Sequence, residues 1–323
     1  MSNNLVPKLS RRGFCLCCVG VASIGVAGGW LSPREAYAEA HQLVHMIRDS
    51  AAKADITTHK LRGGVYALEG SGGNIAVFVG ASGKVMIDAG ITATRPKIAK
   101  ALGALGAQPV TTLINTHWHF DHADGNEWVH DEGATIMAHA NTKSRLLETQ
   151  RVEDWDYTFP PSAPGAIPTE TFSSDKQVVL EGCKLDLVCY EAAHTDSDIG
   201  VRFVDQNILH TGDTYWNGIY PFIDYSTGGS IDGKIAACEK SLKMADDKTI
   251  VIPGHGNPVS NKAELKAFHD MLVAVRDNVS TLKKKGMSVG EVVAAKPTKK
   301  FDAKWGQFVI TPGLFTELVY EGV

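Results

Sequence analysis

Residues Ile114–Asn126 read INTHWHFDHADGN, and this stretch crowds four candidate metal ligands into six positions. The four are His117, His119, Asp121 and His122. Zinc accepts imidazole nitrogen and carboxylate oxygen, usually from four ligands. In a turn, His117 and His119 can point the same way, while Asp121 and His122 follow the bend and can point to a second position. The stretch can therefore serve two metals but complete neither coordination shell, so further ligands must come from elsewhere.

Three later positions supply candidates, each just past an apolar β-run and beside a turn residue. His194 follows LVCYEAA, Asp213 follows NILHTG, and His255 follows TIVIPG. The opening stretch itself follows the apolar run VTTLI. Loops at the C-terminal ends of strands are where α/β folds build their sites. The sequence thus predicts one composite metal site built from four strand ends.

The set HxHxDH followed by His, Asp and His resembles that of the metallo-β-lactamase superfamily of hydrolases, over roughly Leu61 to Lys285. This resemblance implies an α/β fold of four layers, an αββα sandwich, with two zinc ions. It assigns His117, His119 and His194 to one zinc, Asp121, His122 and His255 to the other, and Asp213 to a bridge between them. Asp88, in MIDAG, matches a family aspartate that braces the motif loop. Manganese or iron can enter similar sites, because affinity alone does not select the metal.

The order of elements is consistent with that fold. Short β-rich runs give way to helices, and this happens twice, which suits two packed sheets with helices outside. Residues 154–172 contain four prolines, and we expect no regular element there. A helix is expected over Glu39 to Ile56, with no evident packing partner. The segment Lys296 to Ile310 is interpreted either as a partly ordered arm or as part of a dimer contact.

The first 38 residues are typical of an export signal. SRRGF at 10–14 resembles the twin-arginine signal, a short apolar run follows, and Ala36-Tyr37-Ala38 is an A-x-A cleavage signal. We therefore expect a signal peptide at 1–38, a leader at 39–60 and a hydrolase domain at 61–323. Cleavage near Ala38 would release the mature protein into a bacterial periplasm. An uncleaved membrane anchor is the alternative.

Composition narrows the range of partners. The chain has 323 residues, 44% of them hydrophobic, and a formal net charge of −4. No basic face is evident, so we expect a small-molecule substrate and no nucleic acid. Beyond residue 38 the chain keeps Cys183, Cys189 and Cys238, and this odd count argues against a disulfide framework. The sequence does not indicate an oligomeric state.

Hydrolysis is the reaction that such a centre predicts. Zinc lowers the pKa of bound water towards about 7, which supplies a nucleophile at neutral pH. Asp121 is the candidate catalytic residue, because it could orient that nucleophile and carry a proton to the leaving group. An ester, thioester, lactone or lactam substrate is expected.

Two other functions stay open. The first is a metallo-β-lactamase acting on β-lactam antibiotics. Export and the stretch HTDSD favour it, whereas Asp213 stands where the commonest such enzymes have cysteine. The second is a metal-dependent binding or relay protein of a periplasmic oxidation system, with little turnover of its own.

Two aromatic groups are candidates for the substrate pocket. The first lies in the proline-rich segment, which is interpreted either as a lid over the metals or as a packed surface loop. The second follows Asp213 and could line the pocket wall, although packing in the core is the favoured role there. The residues are Trp155, Tyr157 and Phe159 in the first group, and Tyr215, Trp216 and Tyr220 in the second.

Overall fold

A computed structural model describes residues 33–323, with side chains from residue 43 onward. Most of the predicted signal peptide lies outside these described residues. The helices are α1 (Pro33–Lys53), α2 (Arg95–Ala104), α3 (Phe120–Ala123), α4 (Asn126–Asp131), α5 (Ala140–Leu147), α6 (Ile231–Met244), α7 (Lys262–Lys283), α8 (Val289–Ala295), α9 (Asp302–Trp305) and α10 (Pro312–Glu321). The strands are β1 (Thr57–Lys60), β2 (Val65–Glu69), β3 (Ile75–Val79), β4 (Lys84–Ile87), β5 (Val110–Ile114), β6 (Thr135–His139), β7 (Gln150–Val152), β8 (Tyr157–Phe159), β9 (Glu170–Phe172), β10 (Lys176–Leu180), β11 (Cys183–Cys189), β12 (Ile199–Phe203), β13 (Ile208–His210), β14 (Trp216–Asn217), β15 (Ile250–Ile252), β16 (His255–Gly256) and β17 (Ser260–Asn261).

Two large sheets divide the chain between them. The first has the order β1-β2-β3-β4-β5-β6-β9, and the second has the order β10-β11-β12-β13-β15-β17. The first sheet is antiparallel from β1 to β4 and parallel from β4 to β9. In the second sheet only β13 and β15 are parallel. Two small ribbons, β7-β8 and β14-β16, complete the pairing.

Alternation along the strands builds the layers. In β3, Ala76 and Phe78 face the second sheet, whereas Ile75 and Val77 pack with residues of α2 and α4 on the outside. Successive strand residues point to opposite faces, so a strand that is buried throughout needs a layer on each side. On the far side of the second sheet, Tyr190 packs against Ala237 of α6. The predicted four-layer αββα sandwich is therefore confirmed.

The prediction for residues 154–172 is wrong in part, because two short strands occur there. Strand β8 pairs with β7, and β9 joins the parallel edge of the first sheet through Met137–Glu170 and His139–Phe172 register pairs. The prolines stand at 160, 161, 164 and 168, between the two strands. Three-residue strands on either side of them keep their backbone N–H groups for pairing.

Both ends of the described chain pack onto this sandwich. In α1, Leu43, Val44 and Ala51 join the buried cluster that contains Trp155, so the predicted helix has a packing partner. At the other end, Trp305 lies in the same cluster. Residues 296–310 therefore pack within the chain, contrary to a loose arm. Among the described residues, no helix combines the length and apolar character needed to cross a membrane.

Candidate metal centre

All seven predicted ligands converge at one end of the sandwich, beyond the C-terminal ends of strands from both sheets. Their ligand atoms form three overlapping groups, and within each group the atoms lie within 4.8 Å of one another. The groups are His117–His119–His194, His117–His122–Asp213 and Asp121–His122–His255. Six of these side chains are buried, and His255 is exposed by only 12%. The arrangement is one shielded pocket of imidazole and carboxylate groups.

Each ligand follows the C-terminal end of a strand. Strand β5 delivers the motif loop, which turns into the short helix α3 that carries Asp121 and His122. Trp118 is not part of the ligand cluster: its ring packs on the His119 ring at 4.6 Å, and its indole N–H donates to Thr227 Oγ1 at 3.3 Å. His194 follows β11, Asp213 follows β13, and His255 begins β16 just after β15. Successive side chains of this extended segment point to opposite sides, so His117 and His119 point into the ligand cluster and Trp118 does not.

Asn74 fixes the loop that carries His255 against the first sheet. Its backbone N–H donates to Gly254 O at 2.7 Å, and its side-chain amide donates to Pro253 O at 2.9 Å. Its own carbonyl accepts a hydrogen bond from His210 Nε2 at 3.0 Å. One asparagine therefore joins the two sheets beside the ligands.

The first group of ligands is held from behind. His119 Nε2 bonds Asp224 Oδ2 at 2.9 Å, and His194 Nδ1 bonds the carbonyl of Phe222 at 3.0 Å. These contacts leave His119 Nδ1 and His194 Nε2 facing each other at 2.8 Å. Ligating histidines are commonly fixed in this way through the ring nitrogen that does not touch the metal.

The second group is held by Asp88. Its carboxylate accepts hydrogen bonds from His122 Nδ1 at 2.8 Å and from both the backbone N–H and the hydroxyl of Thr116 at 2.7 Å. Asp88 has a φ of 63°, a left-handed conformation that is unfavourable for a non-glycine residue. The strain places one carboxylate where it can brace both the motif loop and a ligand.

Asp213 lies between the two groups. Its Oδ2 is 3.4 Å from His194 Nε2 and 3.2 Å from His255 Nε2, and its Oδ1 is 3.0 Å from His122 Nε2. Asp121 Oδ2 lies 3.1 Å from His255 Nε2. One carboxylate is therefore within reach of both histidine groups, as the bridging role requires.

Two of the candidate ligands, His117 and Asp213, have the protonation state that metal binding requires. Burial, followed by the neighbouring His122, holds the pKa of His117 well below its ordinary value. Burial opposes ionisation of Asp213, yet His255 and His122 hold the pKa of that carboxyl well below its usual range. Neutral imidazoles and ionised carboxylates are the forms that bind metal.

The surroundings of one ligand atom test whether these residues fit a metal ion. His117 Nε2 is buried and has no hydrogen-bond partner in the structure. A buried polar atom without a partner is unfavourable, and a divalent cation is the partner that this set of nitrogen and oxygen donors would bind. The residues therefore fit a metal ion.

Two supporting residues were not predicted from the sequence. Asp224 follows the apolar run GIYPFI, and nothing local distinguishes it from a turn residue. Lys234 carries a clearer signal, because it shares the inward stripe of α6 with Ile231, Ile235 and Cys238. A lysine at a core position of an amphipathic helix points to a buried partner.

The aromatic residues of the proline-rich segment lie close to the ligands to different degrees. The Trp155 ring is 5.1 Å from the His119 ring and 4.7 Å from Phe222. Phe159 packs on Phe120 at 5.5 Å. The hydroxyl of the partly buried Tyr157 accepts a hydrogen bond from Arg48 of α1 at 3.4 Å. Among these three, only Trp155 packs directly on a ligand imidazole.

The aromatic residues after Asp213 divide between the site and the core. The Trp216 ring lies 4.4 Å from the His255 ring, beside the candidate ligands. Tyr215 and Tyr220 are placed differently. The Tyr215 hydroxyl bonds Ser260 at 2.8 Å, and Tyr220 donates to Asp302 at 2.9 Å. Both tyrosines are fully buried, so their placement is that of packing residues.

Two sheets between helices, with histidines and aspartates gathered beyond the ends of their strands, are the features of the class of αββα metallohydrolases. Residues 68–255 match the Metallo-beta-lactamase superfamily. Because this match covers more than half of the chain, the protein belongs to that superfamily.

Known proteins similar to the chain are distant. An uncharacterized protein of Mycobacterium leprae is 29% identical over 191 residues, which are 56% of this chain and 84% of that protein. A hydroxyacylglutathione hydrolase of Polaromonas sp. is 28% identical over 150 residues, 45% of this chain and 48% of that enzyme.

Solved structures share the fold at low identity. The sec-alkylsulfatase Pisa1 from Pseudomonas sp. has a TM-score of 0.63 at 16% identity, and the match covers 88% of this chain and 54% of that one. The chain thus spans about half of that sulfatase. The DIM-1 metallo-β-lactamase has a TM-score of 0.54 at 18% identity, covering 68% of this chain and 97% of that one.

Proposed function

We propose that this superfamily hydrolase holds two zinc ions and cleaves an ester, thioester, lactone or lactam bond. The observation that carries the proposal is the convergence of seven candidate ligands, with Asp213 between the two histidine groups and His117 Nε2 otherwise unpartnered. His117, His119 and His194 would hold one ion, and Asp121, His122 and His255 the other. One bound zinc ion needs about four ligands, so a set of seven ligands suits a pair of zinc ions.

The chain's own residues have distinct roles in this reaction. When bound, two such ions supply Lewis-acid polarisation of the substrate carbonyl and a nucleophilic water at neutral pH. Asp121, beside His255 and exposed by 6%, would take the proton of that water and return it to the leaving group. Asp88 and Asp224 keep His122 and His119 in the orientation and tautomer that direct a lone pair inward.

Trp155 and Trp216 would shield the pocket from solvent. They pack on His119 and His255 respectively, and each is exposed by no more than 6%. Excluding water strengthens the electrostatic interactions within a site. The alkylsulfatase and the β-lactamase support only the fold, so sulfate esters and β-lactams enter as alternatives for testing.

The decisive experiment joins metal analysis to a substrate panel. Purified chain should contain two zinc ions and turn over at least one of an aryl ester, a thioester and a lactone. Nitrocefin and a secondary alkyl sulfate test the two alternatives. Asp213→Ala should lose both zinc and turnover, whereas Asp270→Asn, an exposed carboxylate of α7, should keep both. Two zinc ions without turnover of any substrate would favour a binding or relay protein, and absence of zinc would refute the centre.

We also propose export to the periplasm through the twin-arginine signal. The support is the pair Arg11-Arg12 followed by the cleavage signal that ends at Ala38. Replacing both arginines with lysine should leave the full-length chain in the cytoplasm, while the wild type appears, shortened, in the periplasmic fraction. Equal export of the two proteins would refute this route.

A further inference from the structure

Lys234 is a fully buried lysine directly behind the candidate metal centre. Its side chain has no exposed surface, and it extends from the first turns of α6. The ammonium group donates to two backbone carbonyls, that of Asp213 and that of Phe222, the latter at 3.2 Å. These two carbonyls lie on separate loops, so one amine joins both.

Each of the two loops supports a ligand. The first carries Asp213 itself, the residue between the two histidine groups. The second presents the carbonyl of Phe222, which also accepts the hydrogen bond from His194 Nδ1 at 3.0 Å. Lys234 therefore fixes the backbone of one ligand and the hydrogen-bond acceptor of another.

The fold keeps a charge where an apolar side chain could pack. A buried ammonium loses its hydration, which is strongly unfavourable unless hydrogen bonds and opposite charges in the protein compensate. Here the charge faces the carboxylates of Asp213 and Asp198, and Asp198 accepts the backbone N–H of His194 at 2.6 Å. One turn further along α6, the Cys238 thiol lies 3.6 Å from the Thr214 carbonyl, beside Asp213. The inner face of α6 thus contacts the ligand loops through polar groups.

We propose that Lys234 is a positioning residue that sets the metal affinity of this centre through Asp213 and His194. The inference rests on the proposed metal centre and does not depend on the identity of the substrate. Without the ammonium, the carbonyl of Asp213 loses this charged donor and the two loops lose their common anchor. Residues that support metal ligands from behind typically change metal affinity by about 10- to 100-fold when they are replaced.

The test compares Lys234→Met with Lys240→Met in the full-length, zinc-loaded protein. Lys240 lies on the same helix, but it pairs with the exposed Asp175 at 3.1 Å. Zinc retained against a series of chelator concentrations gives the affinity of each variant. We expect an affinity about 10- to 100-fold weaker for Lys234→Met and unchanged for Lys240→Met, with a changed visible spectrum in cobalt-loaded Lys234→Met.

Unfolding of the metal-free variants separates positioning from general stability. Replacing Lys234 leaves two buried carbonyls without this donor, so metal-free Lys234→Met should unfold somewhat below the wild-type temperature. A positioning role predicts that zinc affinity falls about 10- to 100-fold in protein that is still folded at the assay temperature, whereas a general loss of stability leaves the affinity of the folded fraction unchanged. If Lys234→Met does not fold, Lys234→Gln replaces it in the test. Glutamine keeps an N–H donor, so the expected loss of zinc affinity is intermediate in size. Zinc affinity within twofold of wild type in the folded variant overturns the proposal. Failure of the proposed hydrolysis would instead appear as normal zinc binding without turnover in the wild type.

Discussion

Gly73→Ala tests how tightly the motif loop at 117–122 and the neighbouring loop that contains Gly73 fix the second group of ligands. A Cβ atom at position 73 would lie 2.2 Å from His122 Cε1 and 2.5 Å from His122 Nε2. Carbon atoms in contact normally stay about 3.5 Å apart, so the ring or the loop must move by roughly 1.3 Å. Neither moves freely. His122 is anchored to Asp88 at 2.8 Å, and the Gly73 N–H is bonded to Asp121 O at 3.1 Å.

The expected loss follows from that displacement. Moving a ligand or catalytic group by about 1 Å lowers the rate about 10²-fold, which corresponds to about 2.7 kcal/mol in the activation free energy. We expect Gly73→Ala to lower kcat/KM by at least this factor on the best substrate of the panel, and to weaken binding of the zinc held by His122. The assay is steady-state kinetics joined to zinc analysis of the same samples.

Gly103→Ala is the matched control. Position 103 lies in α2, and a Cβ there would meet no atom within 4 Å. Alanine stabilises a helix by about 0.5–1 kcal/mol relative to glycine, so this variant should unfold at a slightly higher temperature with normal zinc and turnover. If Gly73→Ala also keeps wild-type zinc and kcat/KM within twofold, the reasoning about the rigid contact with His122 is wrong.

Three further perturbations test the electrostatics around the site. Asp224→Asn removes the carboxylate behind His119 and should weaken zinc binding by about 10- to 100-fold in chelator competition; wild-type affinity would contradict this role. Although burial opposes it, carboxylates led by Asp213 raise the pKa of metal-free His255 to about 9 and that of His122 well above its ordinary value. Zinc binding at pH 7 should therefore release about two protons, and zinc affinity should rise as the pH rises towards 9. Calorimetry in buffers of different ionisation enthalpy measures the number of protons released. Binding without proton release would refute this prediction. Burial, then Glu321, raises the pKa of Asp154 to about 7, so the folded state holds a proton that the unfolded chain loses near pH 4. The free energy of unfolding should then fall as the pH rises from about 4 to 7. For Asp154→Asn it should exceed the wild-type value by about 2 kcal/mol at pH 8 and equal it at pH 4. Denaturant unfolding at both pH values measures this difference.

The ligands could be predicted from the sequence because each follows a recognisable apolar strand. His194, Asp213 and His255 are far apart in the chain, yet the strands that precede them end on the same side of the second sheet. Asp224 and Phe222 could not be predicted in the same way. They act from a loop whose path is set by packing across the molecule, and a backbone carbonyl has no sequence signature.

The aromatic residues after Asp213 show what a local pattern leaves open. Consecutive residues in an extended segment point to opposite sides, so Tyr215 and Trp216 cannot both face the candidate metal centre. Trp216 packs on His255, while Tyr215 packs on Phe268 at 5.1 Å. The sequence does not indicate which of the two faces the site, because both are large and amphipathic.

Asn74 joins two sheets that are separate along the chain. The first sheet ends with Phe172, and the second begins at Lys176. A chain cut within the short turn at 173–175 would yield two fragments, one with the motif at 117–122 and the other with His194, Asp213 and His255. Neither fragment has a full ligand set, so zinc uptake should report their reassociation, and zinc should in turn drive that complementation.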